Sequence, residues 1–204
     1  MDEDDKNINP YTLKEIENLI SKAAGYLKNF IAIMAFTGMR PGELVALQYK
    51  DLDFTNDIIK IRRTRVLGEN GPTKTKSSKR DIEMLPIVKK YLLLQKYLTF
   101  NNIDGDVFLN KSKKIFYSHD TIAVSFKRLT VNDPRYLYQL RHSFASLMIS
   151  EGEDMLWVSR VMGHKSLDIT LKIYTHAYSV TQDKNGRKQR AKFLTNVPNP
   201  SPLI

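Results

Sequence analysis

Apolar residues recur every three to four positions along most of this 204-residue chain, the spacing that places them on one face of a helix. In the stretch YLYQLRHSFASLMI, which begins at Tyr136, Leu140, Phe144, Leu147 and Met148 form such a stripe. Similar patterns begin or end at capping signals, prolines and glycines, which set helix boundaries. The predicted helices cover residues 12–24, 26–36, 41–48, 86–100, 120–129, 136–151, 154–162 and 166–174.

The stretch between residues 51 and 85 has a different pattern. IIKIRRTRV (58–66) is rich in β-branched residues, GENG (68–71) is typical of a turn, and RDIEML (80–85) alternates between apolar and polar residues. The basic segment TKTKSSKR (73–80) lies between the predicted strands. We therefore predict a small antiparallel β-sheet with a basic hairpin, and a fold class that is mostly α with a small antiparallel β-sheet (α+β).

The helices and the sheet indicate one folded domain over residues 12–180. Residues 1–11 are predicted to be a linker or a vector-derived remnant, and their acidic start, MDEDDK, has the wrong charge for a signal peptide. Residues 181–204 end in the proline-rich VPNPSPLI and are predicted to form a tail without a core of its own.

The composition excludes several classes of protein. The chain has 42% hydrophobic and 26% charged residues, which is typical of a globular domain. It has no cysteine, which excludes disulfides and thiolate metal sites. The longest apolar run, FIAIMAF (30–36), is too short to span a bilayer, so no membrane partner is predicted.

The net charge of +10 is unevenly placed along the chain. The first 60 residues hold 7 Lys and Arg against 10 Asp and Glu, a net of −3, which leaves +13 for the remainder. A basic surplus of this kind indicates a polyanionic partner, although it also serves ordinary solubility.

Arg141 lies on the shoulder of the apolar stripe of residues 136–149. A guanidinium group stays charged, so burial requires an anionic partner. Two partners fit the sequence: a carboxylate within the protein, or an external phosphate held by two parallel hydrogen bonds.

Four other polar residues lie in similarly unusual contexts. Arg40 follows a glycine turn at a helix entrance, where anions are favoured, and Lys74 lies in the basic hairpin. His164 follows a helix and a glycine, and Tyr174 ends a helical stretch. Each has an ordinary structural explanation when taken alone. Arg40 would end a solvated loop, and Lys74 would keep a turn soluble. His164 would cap a helix, and Tyr174 would be a core residue with a hydrogen-bonded hydroxyl.

Taken together and in order, these residues form a pattern. TGMRPGEL (Arg40), TKTKSSKRDIEM (Lys74), YQLRHSFAS (Arg141), VMGHKS (His164) and IYTH (Tyr174) follow one another along the chain. In this order they resemble the motifs of the tyrosine recombinases, the phage-integrase family, over about residues 12–178. The resemblance implies that family's catalytic-domain fold.

The resemblance also implies catalytic roles. Arg40 and Arg141 would hold the two non-bridging oxygens of a phosphodiester, and Tyr174 would be the nucleophile that forms a 3′-phosphotyrosyl link. Lys74 would be the general acid for the leaving 5′-oxygen, a choice over Lys76 that rests on the resemblance. His164 would donate a hydrogen bond to the phosphate or tune Tyr174. No metal or other cofactor is implied.

Other positions carry supporting roles under this interpretation. Tyr138 stands where the family usually has a histidine, and a phenol mostly donates a hydrogen bond, so a structural or phosphate-contacting role fits it better than general-base work. Glu43 is predicted to buttress the corner at Arg40, and His142 and His176 to lie behind the site. The predicted contacts to the DNA backbone are Arg62, Arg63, Arg65, Lys76, Lys79, Lys127 and Arg128.

The implied function is site-specific strand cleavage and rejoining on double-stranded DNA, in the cytoplasm at the nucleoid. Two alternatives stay open: a DNA-binding module of the same fold without cleavage, suggested by Tyr138, and a type IB topoisomerase-like enzyme. The family's separate N-terminal DNA-binding domain is not expected in this chain, which suggests a truncated fragment or a minimal protein. The full-length protein is expected to act as a homotetramer on paired sites with its tail exchanged between protomers, and the fragment to be compatible with a monomer.

Overall fold

The computed structural model describes residues 8–72 and 76–174, apart from the side chain of Lys76. Helix α2 (Gly25–Thr37) lies at its centre because the sequence is apolar on all sides of this helix. Residues 30–35 are fully buried. Helix α2 packs against α1 (Leu13–Lys22), α4 (Pro86–Thr99) and α6 (Gln139–Ser150), so it joins the two halves of the chain.

The remaining α-helices in the described part of the chain are α3 (Pro41–Val45), α5 (Asp120–Leu129), α7 (Met155–Met162) and a helical segment over residues 167–174. Helix α3 is shorter than predicted. The main chain leaves the helix there because the Leu47 carbonyl accepts a hydrogen bond from Val107 N–H at 2.8 Å and Gln48 bridges to Asp106. The predicted helix at 136–151 begins three residues late, at Gln139, after a turn.

The β-structure of the described residues consists of two small antiparallel sheets. Strand β2 (Ile58–Ile61) lies between β1 (Leu52–Asp53) and β5 (Arg80–Glu83), while β3 (Arg63–Val66) pairs with β4 (Glu69–Pro72). The predicted strand at 58–66 is therefore divided at Arg62. The prediction of a mostly α fold with a small antiparallel sheet is confirmed.

The alternation of apolar and polar residues sets the faces of the three-stranded sheet. Ile59 pairs with Leu52 on one side and Ile82 on the other, and all three are buried. Lys60 and Asp81 are cross-strand partners in the next register position. One face of the sheet therefore covers the core, as the pattern of RDIEML predicted.

The packing of the domain begins before Thr12, the predicted boundary. Tyr11 is buried, and its N–H donates to Ser143 Oγ at 2.7 Å. Asn9 N–H donates to Gln139 Oε1 at 2.9 Å. The chain is thus tied to α6 ahead of α1, whose predicted capping box forms between Thr12 and Glu15.

Within residues 8–72 and 76–174, the structure contains no helix with the length and apolar character needed to cross a membrane.

Candidate anion-binding site

Arg141 projects from α6 into the interior and is fully buried. Its Nη1 donates to the Gly38 carbonyl, at the end of α2, and its Nη2 donates to the Met162 carbonyl at 2.8 Å. Across the described residues, no carboxylate forms an ion pair with this guanidinium group, and its Nε makes no hydrogen bond. Of the two partners that the sequence allowed, the internal carboxylate is therefore not the one observed.

Arg40 reaches the same place from another element. It is the N-cap of α3, and its N–H donates to Glu43 Oε2 at 2.9 Å. Its Nη1 lies 3.4 Å from the Met162 carbonyl oxygen and 3.3 Å from Glu43 Oε1, and its side chain keeps 25% of its surface exposed. Arg40 and Arg141 thus converge at one carbonyl, with Arg40 on the solvent side.

Glu43 is buried beneath these groups and is held chiefly by Arg80. The Arg80 guanidinium donates to both carboxylate oxygens of Glu43, at 3.1 Å each, and its Nε donates to the Val161 carbonyl at 2.5 Å. Burial acts to raise the pKa of Glu43, but the positive charges of Arg80, Arg40 and Arg141 hold that pKa below its usual value. Glu43 is therefore an anion that supports the corner at Arg40.

Arg80 was missed among the predicted site residues, although the sequence contains a signal for it. In RDIEML, residues two apart point to the same face, so Arg80 shares the face of buried Ile82 and Met84. An arginine on the inward face of a strand needs a buried partner. The structure shows that this partner is Glu43.

Positive charge is concentrated in this cluster. The guanidinium groups of Arg40, Arg80 and Arg141 lie around the carboxylate of Glu43, and no other carboxylate of the described residues forms an ion pair with Arg80 or Arg141. The carbonyl groups of Val161 and Met162 add partial negative charge, since they end α7. They orient the guanidinium groups without neutralising them, so the cluster is suited to bind an anion.

Gly163 closes the cluster on the side of α7. Its φ of +66° is a left-handed conformation that ends the helix, and a Cβ atom there would lie 2.8 Å from Arg80 Nη1. Both features favour a glycine at this position. The left-handed turn leads directly to His164, which is buried, with its Nδ1 2.7 Å from Thr170 Oγ1.

Tyr174 packs with a second core cluster built from α6 and α7, which contains Phe144, Ile149 and Met162. Its hydroxyl lies 2.7 Å from Nδ1 of the buried His142. His142 directly follows Arg141 on α6, so the tyrosine is tied to the helix that carries the buried arginine. The sequence predicted His142 only as a residue behind the site, and it did not predict this contact.

Tyr138 lies one turn before His142 and is largely buried. Its ring centroid is 5.5 Å from that of His142 and 6.0 Å from Arg141 Cζ. The ring therefore covers the arginine at the outer limit of a cation–π contact.

The remaining predicted catalytic and supporting residues fall outside the described part of the chain. These are Lys74, His176 and the side chain of Lys76. Three of the predicted DNA contacts are exposed: Lys79, Lys127 and Arg128. Lys127 Nζ donates to the Asp133 carbonyl at 2.8 Å.

The three hairpin arginines are engaged within the protein. Arg62 forms an ion pair with Asp81 at 2.5 Å, and Arg63 pairs with Asp51. Arg65 is 2% exposed and pairs with the buried Asp106 at 2.6 Å. Burial removes Arg65 from the predicted DNA-binding surface, and the carboxylates of Asp81 and Asp51 compete for the other two.

Within the described ranges, no group of three His, Asp or Glu side chains is arranged to hold a metal ion.

Comparison with known proteins gives a family match. The phage integrase family matches residues 9–180. The ICEBs1 integrase of Bacillus subtilis (strain 168) is 28% identical over 198 residues, which cover 88% of this chain and 52% of the relative. Tyrosine recombinase XerA of Saccharolobus solfataricus is 30% identical over 151 residues, 73% of this chain and 45% of the relative. The chain thus spans about half the length of these relatives.

Solved structures share the fold. A Tn1549 transposon integrase in complex with transposon right end DNA superposes with a TM-score of 0.76 at 22% identity, over 93% of this chain and 68% of that one. A lambda integrase tetramer bound to a Holliday junction gives a TM-score of 0.56 at 19% identity, over 78% and 47%.

Proposed function

The chain belongs to the phage integrase family, and from this premise we propose that it is the catalytic domain of a tyrosine-type site-specific DNA recombinase. One observation carries the proposal: Arg141 is fully buried, has no carboxylate partner among the described residues, and shares a carbonyl with Arg40. Burying such a charge is costly unless an anion compensates for it. A phosphodiester of DNA supplies that anion.

The two arginines would hold the non-bridging oxygens of one phosphodiester. As the phosphorus becomes five-coordinate, negative charge grows on these oxygens, and fixed cations stabilise it. Glu43 and Arg80 support this arrangement, because they fix the corner at Arg40 and the carbonyl groups at the end of α7. The preorganised charge costs no rearrangement during the reaction.

Tyr174 would be the nucleophile. Its oxygen forms a bond to phosphorus, the bond from phosphorus to the 5′-oxygen breaks, and a 3′-phosphotyrosyl link results. His142 Nδ1, at 2.7 Å, supports this role because it can accept the phenolic proton. Lys74 would donate a proton to the departing 5′-oxygen. The hydroxyl must leave His142 and come within about 3–3.5 Å of the phosphorus to attack.

A nicked duplex that carries the cognate site tests this proposal, the site being found by selection of bound sequences. The nick lets the 5′-hydroxyl fragment diffuse away, so a covalent adduct accumulates as an SDS-resistant band. We expect the band with the wild-type chain and none with Tyr174→Phe. An adduct formed by Tyr174→Phe would show that another residue is the nucleophile.

The Tyr138 position favours a second candidate, a DNA-binding module of the same fold that does not cleave. Saturated binding of the cognate duplex by the wild-type chain with no adduct would support it. A topoisomerase-like activity would instead appear as relaxation of a supercoiled plasmid without exchange of partners between two sites.

The assembly and location of the whole protein are part of the proposal. A DNA substrate implies work at the nucleoid in the cytoplasm. Recombination between two sites needs four active tyrosines, and a lambda integrase of the same fold is a tetramer on a Holliday junction. We propose the same arrangement for the full-length protein, with the residues after 180 exchanged between protomers.

A further inference from the structure

Three lysines on the loop of residues 110–114 have the free charge that the hairpin arginines lack. Lys111, Lys113 and Lys114 are exposed, and across the part of the chain that the structure describes none of their ammonium groups forms an ion pair or hydrogen bond. The chain has no acidic residue between Asp106 and Asp120. The loop therefore presents three positive charges that nothing nearby in sequence offsets.

The main chain of this lysine loop (residues 110–114) is closed on itself. Asn110 Oδ1 accepts hydrogen bonds from the N–H groups of Ser112 and Lys114, at 2.9 and 3.0 Å. Asn110 N–H donates to the Lys114 carbonyl at 2.8 Å, and Leu109 bridges to Ile115. The lysines are thus held on an ordered turn, which reduces the entropy lost when they bind.

The lysine loop is joined to the tip of the β3–β4 hairpin through Tyr117. Gly68 N–H, at that tip, donates to the Tyr117 carbonyl at 2.6 Å. The Tyr117 ring lies so close to Gly68 that a Cβ atom there would be 2.8 Å from it, yet 64% of Tyr117 is exposed. The lysine loop, Tyr117 and the hairpin tip therefore form one continuous surface.

The hairpin connects this surface to the corner at Arg40. Strand β3 packs against α3, whose N-cap is Arg40. Arg63 pairs with Pro72 at the base of the hairpin, and Val66 pairs with Glu69 at the tip. At about 3.3 Å per residue, the tip is roughly 10 Å from that base.

We propose that the lysine loop binds the sugar-phosphate backbone of the duplex to one side of the proposed cleavage site. The contact is electrostatic, because ammonium groups on phosphates report affinity and position but not base sequence. The identity of the partner rests on the proposed function. The free charge, the closed turn and the link to the hairpin are observations that do not depend on the proposed function.

The experiment measures how duplex affinity depends on salt. The full chain is titrated by fluorescence anisotropy against a labelled duplex of about 30 base pairs and arbitrary sequence, at several salt concentrations. The test variant is Lys111→Gln/Lys113→Gln/Lys114→Gln. The matched control is Lys14→Gln/Lys22→Gln/Lys90→Gln, which removes the same charge from exposed positions on α1 and α4.

Each phosphate contact contributes about 0.9 to the slope of log affinity against log salt. We expect the lysine-loop variant to lose about 2 to 3 from that slope and the control variant to match the wild type, with unchanged melting temperatures in both. A wild-type slope in the lysine-loop variant would overturn the inference, and so would an equal loss in the control, which would indicate a net-charge effect. If the wild type binds no duplex even at low salt, the proposed function itself fails.

Discussion

Arg40 and Arg141 donate hydrogen bonds to one oxygen, the carbonyl of Met162, at 3.4 and 2.8 Å. The two arginines are 101 positions apart in the sequence. Like charges are held together here by the carbonyl end of α7 and by the carboxylate of Glu43. The two adjacent positive charges create a positive potential that attracts an anion.

Replacement of Arg141 should remove anion binding with little change in stability. Arg141→Met removes a buried charge that has no carboxylate partner among the described residues, and it also removes two hydrogen bonds. Because the gain from removing the charge offsets the loss of the hydrogen bonds, we expect the free energy of unfolding to change by less than about 1.5 kcal/mol. Inorganic phosphate should raise the melting temperature of the wild type and not that of the variant. A destabilisation of several kcal/mol would instead assign Arg141 a purely structural role.

Removal of Glu43, in contrast, should strongly destabilise the domain. Glu43→Ala leaves Arg80 buried without its carboxylate, which typically costs about 3–5 kcal/mol. We expect Glu43→Ala/Arg80→Met to cost less than the sum of the single variants, measured by urea denaturation. Asp104→Ala is the control, because its pair with Lys50 is exposed and should contribute at most about 1 kcal/mol. Additive costs in the cycle would contradict the coupling.

Gly163 should tolerate a side chain less well than another glycine of similar conformation. Gly163→Ala combines a φ of +66° with a collision against Arg80, whereas Gly25→Ala, at φ +55°, meets nothing within 4 Å. A left-handed alanine costs about 1 kcal/mol or more. We expect Gly163→Ala to be the more destabilising of the two in thermal denaturation, and equal losses would show that Arg80 moves away freely.

The hydroxyl of Tyr174 should contribute to stability as well as to chemistry. Tyr174→Phe removes the hydrogen bond to His142, which is worth about 0.5–1.5 kcal/mol. Tyr97→Phe is the matched control, since Tyr97 is 91% exposed. In chemical denaturation, we expect Tyr174→Phe to lower the free energy of unfolding and Tyr97→Phe to leave it unchanged. Identical midpoints for the two variants would mean that the hydrogen bond does not contribute to stability.

Low pH should lower the stability of the domain through protonation of Glu15. The hydrogen bond from Arg135, at 2.6 Å, and the N–H of Thr12 lower the pKa of Glu15 from 4.5 to about 2. Because the folded pKa is depressed, the stabilisation is present above pH 4.5 and is lost as the pH falls through about 2. The difference in unfolding free energy between wild type and Glu15→Gln should shrink over that window. A constant difference from pH 5 to pH 2 would contradict it.

The sequence could predict those features that depend on neighbouring residues. The helical spacing placed the helices, the alternation in RDIEML gave the inward face of β5, and the Thr12–Glu15 capping box marked the start of α1. The ordered motifs identified Arg40, Arg141, His164 and Tyr174 as candidates, because each motif is a short local pattern. Glu43 was placed beside Arg40 for the same reason.

The partners of the charges were decided only by tertiary structure. Arg63 and Arg65 looked like free cations in sequence, yet their carboxylates, Asp51 and Asp106, come from elements 12 and 41 residues away. Arg80 pairs with Glu43, 37 residues away, whereas no carboxylate of the described residues forms an ion pair with Arg141. Local spacing determines which face a side chain occupies. Electrostatic pairing acts through space. The distant segment that packs against that face therefore decides whether a carboxylate neutralises the guanidinium group or the group remains available to a ligand.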